Sequence, residues 1–567
     1  MKHGRIRWAG ITIGLMLALA AFVARSNEIP RIDTGDMETR VRVLIEETRK
    51  ELENNLDAAV AWGQMGMVLH AHDLTDAALL CYVQAIQRDA DDYRWLYLAA
   101  VAVWGKAPTR SAEYFAKAAL LHPHDAAFFI AFADVLTRLG RYEDAHNAYE
   151  KARAIDSRSS FAHIGLARLA LIRGDVADAR STLERVRDRS PRLNNVHTLL
   201  AQAYRRLGER ASASRAEWLA KVHNKRLKPH SPVVSAMASL AVNAQAYQRR
   251  GAQLADRSDF AGAESAYRQV LIIRVGSSAD FMNLATVSWK QGKYAEAFEF
   301  FDRGLGLSPD HVGLLSSKGR AHVDVGQFDR AAEMLAKAID ADPNFADASL
   351  NSGILRFRQG RFAEAVEHFE RALTLDPSLY RVYFDLGRAY ADDGKLESAV
   401  VALQRLREIE PDNELALNRP GLLQIRLGRY DAAIEVLDEA WVNNPTNTQT
   451  TILLARLLAS APDASSRDAP RALAMAMDLY RIRSHDAGLA DLLAMAYAAN
   501  GQFDKAIRLS ERAIEIARDK PRLVEEFGTH LDSYRRNKPI YLPSEGVGQL
   551  MNLPIEARAE NKNPPWP

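Results

Sequence analysis

Between residues 244 and 447, small, large and helix-ending side chains return to the same places every 34 positions. Prolines stand at 309, 343, 377, 411 and 445, glycines at 292, 326, 360, 394 and 428, and alanines at 297, 331, 365, 399 and 433. With units counted from residues 244, 278, 312, 346, 380 and 414, the eighth position is small: Gly251, Ala285, Gly319, Gly353, Gly387 and Gly421. The twenty-fourth is large: Tyr267, Phe301, Leu335, Phe369, Leu403 and Leu437. The twenty-seventh is mostly small, with Val270 and Leu406 departing. This pattern predicts two helices per unit. Small residues let the pair approach and large ones fill the space between. Glycine at the fifteenth position permits the turn, and proline stops the second helix. Such a unit buries one side of each helix and needs neighbours to complete its core.

Weaker copies begin near residues 59, 92, 126, 160 and 194, and another near 487. The spacing therefore predicts an N-terminal array over 58–222, a central array over 244–447 and degenerate units over 448–520. Between the arrays, "HNKRLKPHSPVV" opens a break over 223–243, because two prolines deny it a continuous helix. Residues 25–57 read as a polar stalk or capping helix with a narrow apolar stripe. Residues 521–567 read as a helix end followed by a proline-rich tail, expected to lie along the last helices.

The 34-residue period and its small-small-large-small register resemble the tetratricopeptide repeat. The chain is also similar to bacterial multi-repeat envelope proteins of mostly undefined function. The resemblance implies an all-α fold, a right-handed superhelical α-solenoid of antiparallel helix pairs. It also implies a concave face lined by positions 2, 5, 9 and 12 of each unit. Here these positions include Met282, Trp289, Arg320, Leu350, Ile354, Phe357, Arg381, Phe384, Arg388 and Leu422. At position 6, Asn283 and Asn351 match asparagines that hold a peptide backbone in some relatives, while Ser317, Asp385 and Arg419 interrupt the series. Mixed apolar and arginine side chains suit an extended peptide or a helix.

Composition narrows the chemistry. Seventy-four basic against 72 acidic residues leave a formal charge of +2, without the excess that a nucleic-acid groove needs. The single cysteine, Cys81, excludes an intrachain disulfide and a multi-cysteine zinc site. His122 and His124 lack the i,i+4 spacing of a zinc-protease helix, and no phosphate-binding loop or nucleophile elbow occurs. No cofactor or metal is expected, and the chain reads as non-enzymatic.

At the N-terminus Lys2, Arg5 and Arg7 precede an uncharged run from Trp8 to Ala24. That run predicts a membrane anchor or a removed signal peptide within residues 1–24. Positive charge before it places the bulk across the membrane. The expectation is a single-pass protein of the cytoplasmic membrane facing the periplasm or exterior, or a soluble periplasmic protein after cleavage. Its function would be to bind unidentified protein partners along the groove, as a scaffold. The alternative is an accessory ligand- or polysaccharide-binding subunit of an envelope enzyme complex.

Overall fold

The computed structural model describes residues 28–121, 123–224, 227–410, 413 and 417–542. Every regular element among the described residues is helical. They gather into two compact units, the first ending at Pro309 and the second beginning at Asp310.

Unit 1 opens with α1 (Thr39–Glu53). Pairs follow: α2 (Ala59–Ala71) with α3 (Thr75–Arg88), α4 (Tyr93–Val103) with α5 (Pro108–Ala119), and α6 (Ala126–Arg138) with α7 (Tyr142–Ile155). Next come α8 (Ser160–Arg173) with α9 (Val176–Arg189), and α10 (Asn194–Arg206) with α11 (Arg210–Val222). A short α12 (Pro232–Ser239) leads to α13 (Ala244–Asp256) with α14 (Phe260–Ile273), and α15 (Ser278–Lys290) with α16 (Tyr294–Leu307).

Unit 2 contains α17 (Val312–Asp324) with α18 (Phe328–Ala341), α19 (Ala346–Arg358) with α20 (Phe362–Leu375), and α21 (Val382–Asp392) with α22 (Leu396–Ile409). It continues with α23 (Arg419–Arg426) and α24 (Tyr430–Asn443), α25 (Thr448–Ser460) and α26 (Ala469–Ile482), α27 (Ala487–Ala499) and α28 (Phe503–Ile516). A single helix, α29 (Pro521–Arg535), closes it. In each unit a helix packs chiefly on its pair partner and then on the neighbouring pair.

The repeated residues do what their spacing predicts. A Cβ built on Gly353 would lie 2.6 Å from Cδ1 of Phe369, so a small eighth position lets the twenty-fourth side chain press on the facing helix. Gly360 has φ +74° with open space around it, so its role is conformational. Asp73 (φ +64°) and Ser258 (φ +62°) occupy the equivalent turns of α2/α3 and α13/α14. There the left-handed backbone costs about 1–2 kcal/mol that glycine avoids. Asp342 and Asp376 are extended (φ −146° and −139°) before Pro343 and Pro377, as proline demands of its predecessor. Cys81 is fully buried, and burial pushes its thiol up to about 12.

A polar node ties the last pairs of unit 1. Glu264, 8% exposed, accepts from Arg268 Nε (2.7 Å), Lys293 Nζ (2.7 Å) and Gln291 Nε2 (2.8 Å). Burial pushes its carboxyl up, but these bonds outweigh it and hold the group at about 2. A folded pKa below the unfolded one contributes stability that is present above the unfolded value and lost as pH falls through the folded one. Glu264→Gln is therefore expected to lower Tm at neutral pH. It should also flatten the acid limb of a Tm profile between pH 4.5 and 2.

The expectation of a single-pass membrane protein facing the periplasm is corrected by the helices themselves. Among the described residues no helix is long and apolar enough to cross a membrane. The longest, α1 and α29, have 15 residues, whereas a span needs about 20 predominantly apolar ones. The run 8–24 lies outside the described residues, as does the tail beyond 542. Where that tail begins, Leu542 is 5% exposed and donates its N–H to Ser460 O (2.7 Å), and Arg467 covers the Tyr541 ring at 4.1 Å.

Candidate protein-binding face

Three of the sequence-predicted groove residues belong to unit 1. Met282 and Asn283 are half-buried on α15. Trp289 is 8% exposed and packs on Tyr294 and Phe298, with ring centroids 4.5 and 5.9 Å away.

The other nine belong to unit 2 and separate into two groups. Leu350 and Ile354 of α19 are half-buried against Val366, Phe369 and Leu386, and Leu422 of α23 packs on the cluster around Leu453 and Leu454. Asn351 is 5% exposed and donates Nδ2 to Ser316 Oγ (2.9 Å), so its amide joins α19 to α17. Arg381, just before α21, stands 3.5 Å from Glu410, which also accepts from the Tyr380 hydroxyl (2.7 Å).

The second group forms an open ladder. Arg388 of α21 lies 4.6 Å from the Phe357 ring centroid and 5.8 Å from that of Phe384. Arg419, at the start of α23, covers the other flank of the ladder, 4.8 Å from Phe384. The order Phe357, Arg388, Phe384, Arg419 thus crosses α19, α21 and α23, the first helices of successive pairs. Arg320 adds a fourth element from α17, its Nε 3.0 Å from Asp324 Oδ1.

Arg388, Arg320 and Arg358 act on the Asp385 carboxyl, Arg320 also pairs with Asp324, and Arg419 feels the charge of Arg388. Burial pushes the Asp385 carboxyl up, while Arg388 (3.7 Å away), Arg320 and Arg358 pull against that. Burial and then the like charge of Arg388 press the Arg419 guanidinium down. An anion beside Arg419 would offset both effects by favouring its charged form. A guanidinium stacked on a ring keeps its in-plane N–H donors directed at the edge, the geometry that grips a carboxylate.

Four members of this cluster lie outside the expected lining set: Asp324 and Arg358 sit at position 13, and Asp385 and Arg419 stand where the pattern calls for asparagine. A sequence signal existed only for Asp385 and Arg419, as departures from the asparagine series.

Repeated helix pairs with a lined inner face define an α-helical repeat protein of the interaction class. Tetratricopeptide repeat family models match residues 243–312 and 317–379, 136–203 and 356–418, and 489–524. The chain is a tetratricopeptide-repeat protein, an all-α fold whose repeats generally bind protein partners. It is similar to the human protein O-mannosyl-transferase TMTC1, 24% identical over 199 residues, covering 35% of this chain and 21% of that protein. It is also similar to the BBSome complex member BBS4 of Xenopus tropicalis, 27% identical over 120 residues, covering 21% of this chain and 23% of that one. The chain thus spans under a quarter of either curated relative. Among solved structures, the APC/C hetero-tetramer Cut9–Hcn1 aligns over 90% of this chain and 98% of its own, at 13% identity and a TM-score of 0.34.

Proposed function

We propose that the protein is a non-catalytic interaction scaffold whose unit 2 captures an extended partner segment carrying carboxylates beside apolar side chains. The observation that carries this reading is the ladder Phe357–Arg388–Phe384–Arg419, in which guanidiniums and rings alternate across three inner helices. Rings supply apolar contact area, and the arginines between them supply donors for acidic groups. Asp324 and Asp385 on the same face disfavour a polyphosphate backbone, so a peptide fits better than a nucleic acid.

An array of extended peptides, graded from acidic to basic and from aromatic-rich to aromatic-free, tests this. Acidic peptides with apolar residues are expected to be selected. Arg388→Glu should weaken the best of them by roughly tenfold to a hundredfold, a loss of about 1.4–3 kcal/mol. Equal binding of basic peptides, or indifference to Arg388→Glu in a folded variant, would sink the idea.

A further inference from the structure

The stretch that the sequence presents as a break between arrays is seated on the inner helices of the first array. Ser231 is 5% exposed and donates its hydroxyl to Asp125 Oδ2 (2.9 Å), across 106 residues of chain. Asp125 is simultaneously the N-cap of α6, accepting from Ala127 N (2.9 Å). Val233 and Val234 pack against two core clusters at once, one around Trp62 and Met65, the other around Tyr97 and Phe128. Met237 and Ala241 are 7% and 2% exposed in the first of these clusters. At the far end the Val242 N–H donates to His72 Nε2 (3.1 Å), 170 residues away. His72 Nδ1 faces Val68 O (2.7 Å), which assigns the proton to Nδ1 and leaves Nε2 as acceptor.

The segment therefore runs from the start of α6 back to the end of α2, touching the first helix of three successive pairs. Its inward residues, 233, 234, 237, 240 and 241, have the spacing of an amphipathic ligand helix in a groove. Pro232, Ser235, Ala236, Ala238 and Ser239 face outward and are exposed. An eight-residue helix has little stability of its own in water, so α12 owes its form to the surface it lies on. That is the behaviour of a bound peptide. A member of a repeated pair would instead be fixed by a partner helix, and α12 has none in the repeat register.

We infer that the inner face of the first array is a second peptide-binding site, and that residues 231–242 are its built-in ligand. The site takes a hydroxyl at Asp125, a branched aliphatic pair, an unbranched apolar side chain one turn later, and a backbone N–H at His72. A foreign segment of the same chemistry enters only by displacing the resident one. This inference is independent of the reading for unit 2, and either can fail alone.

The test uses the full chain and a labelled peptide of residues 229–243. A tethered ligand has an effective concentration in the millimolar range. Peptide at about 10 µM is therefore expected to bind the unaltered chain poorly. The variant Val233→Asp, Val234→Asp, Met237→Asp empties the site and should bind the peptide at least about tenfold more tightly. Asp125→Asn added to that variant should weaken the gain. A variant with unchanged circular dichroism and elution volume that binds no better than the unaltered chain overturns the inference. Hydrogen exchange on the unaltered chain decides the matter where the variant does not fold. Amides of 234–242 should exchange well before those of α2 and α4, since a ligand can leave while its site stays folded. Exchange of all three only together would assign the segment to the framework instead.

Discussion

Asp491→Ala is expected to lower the unfolding free energy of unit 2 by about 3–5 kcal/mol, because it removes the buried carboxylate that faces a buried guanidinium and accepts from a buried imidazole. The Asp491 side chain is fully buried on α27. Its Oδ1 lies 2.7 Å from His530 Nδ1 on α29, and its Oδ2 lies 3.7 Å from Arg456 Nη2 on α25. The side chains of His530 and Arg456 are only 3% and 6% exposed. Burial also pushes the neighbouring Glu526 carboxyl up, so that group is a weak substitute as counter-charge even with Arg456 and His530 pulling against the shift. Alanine would leave a guanidinium in a nearly dry site without its carboxylate, the costly way to break a buried pair. Asp491→Asn retains an acceptor for His530 and should lose about half as much. Urea unfolding followed by circular dichroism reads both variants, and an unchanged slope would show that stability alone has moved. A loss under about 1 kcal/mol for the alanine variant would mean that water reaches Arg456 and that the node is not dry.

That node was not legible in the sequence, and neither was the filled inner face of the first array. A repeat pattern records what each unit demands of its immediate neighbour. Gly353 with Phe369, or Gly360 at its turn, recurs because the same contact recurs every 34 residues. Contacts such as Ser231 with Asp125 occur once, between residues 106 apart, and leave no period to detect. Asp491 read as one more helical carboxylate, since nothing nearby in the chain announces that α29 will bring His530 over it. The prolines of "KPHSPVV" argue against one continuous helix over 223–243, but they say nothing about where the chain goes next. Its Val233, Val234 and Met237 were a signal of burial that the word "break" obscures. The ladder was half legible: register placed Phe357, Phe384 and Arg388 on one face, while Arg358 and Arg419 joined it through tertiary approach. Trp289 and Asn351 share that register yet meet neighbouring side chains of the core, because a large ring or an amide near the seam between helices finds partners there first.

Phe369→Ala should cost unit 2 about 3–5 kcal/mol, the range for emptying a buried phenylalanine site. The ring is fully buried among Leu350, Ile354, Val366, Val382 and Leu386, so it closes α19 against α20 and both against α21. Phe357 packs on the same cluster, which makes this core the footing of the partner-binding ladder. The particular contact can be isolated with a second change. Gly353→Leu alone overpacks the pair, since even its Cβ would meet the Phe369 ring at 2.6 Å, and should cost about 1–3 kcal/mol. In the Phe369→Ala background the same leucine enters the space the ring has left. The double variant is therefore expected to be more stable than Phe369→Ala alone, with a coupling of about 1–3 kcal/mol. Strict additivity of the two losses would refute the close approach of positions 8 and 24 as the reason for glycine there. Conserving volume across the pair, rather than keeping either residue, is what the 34-residue register enforces.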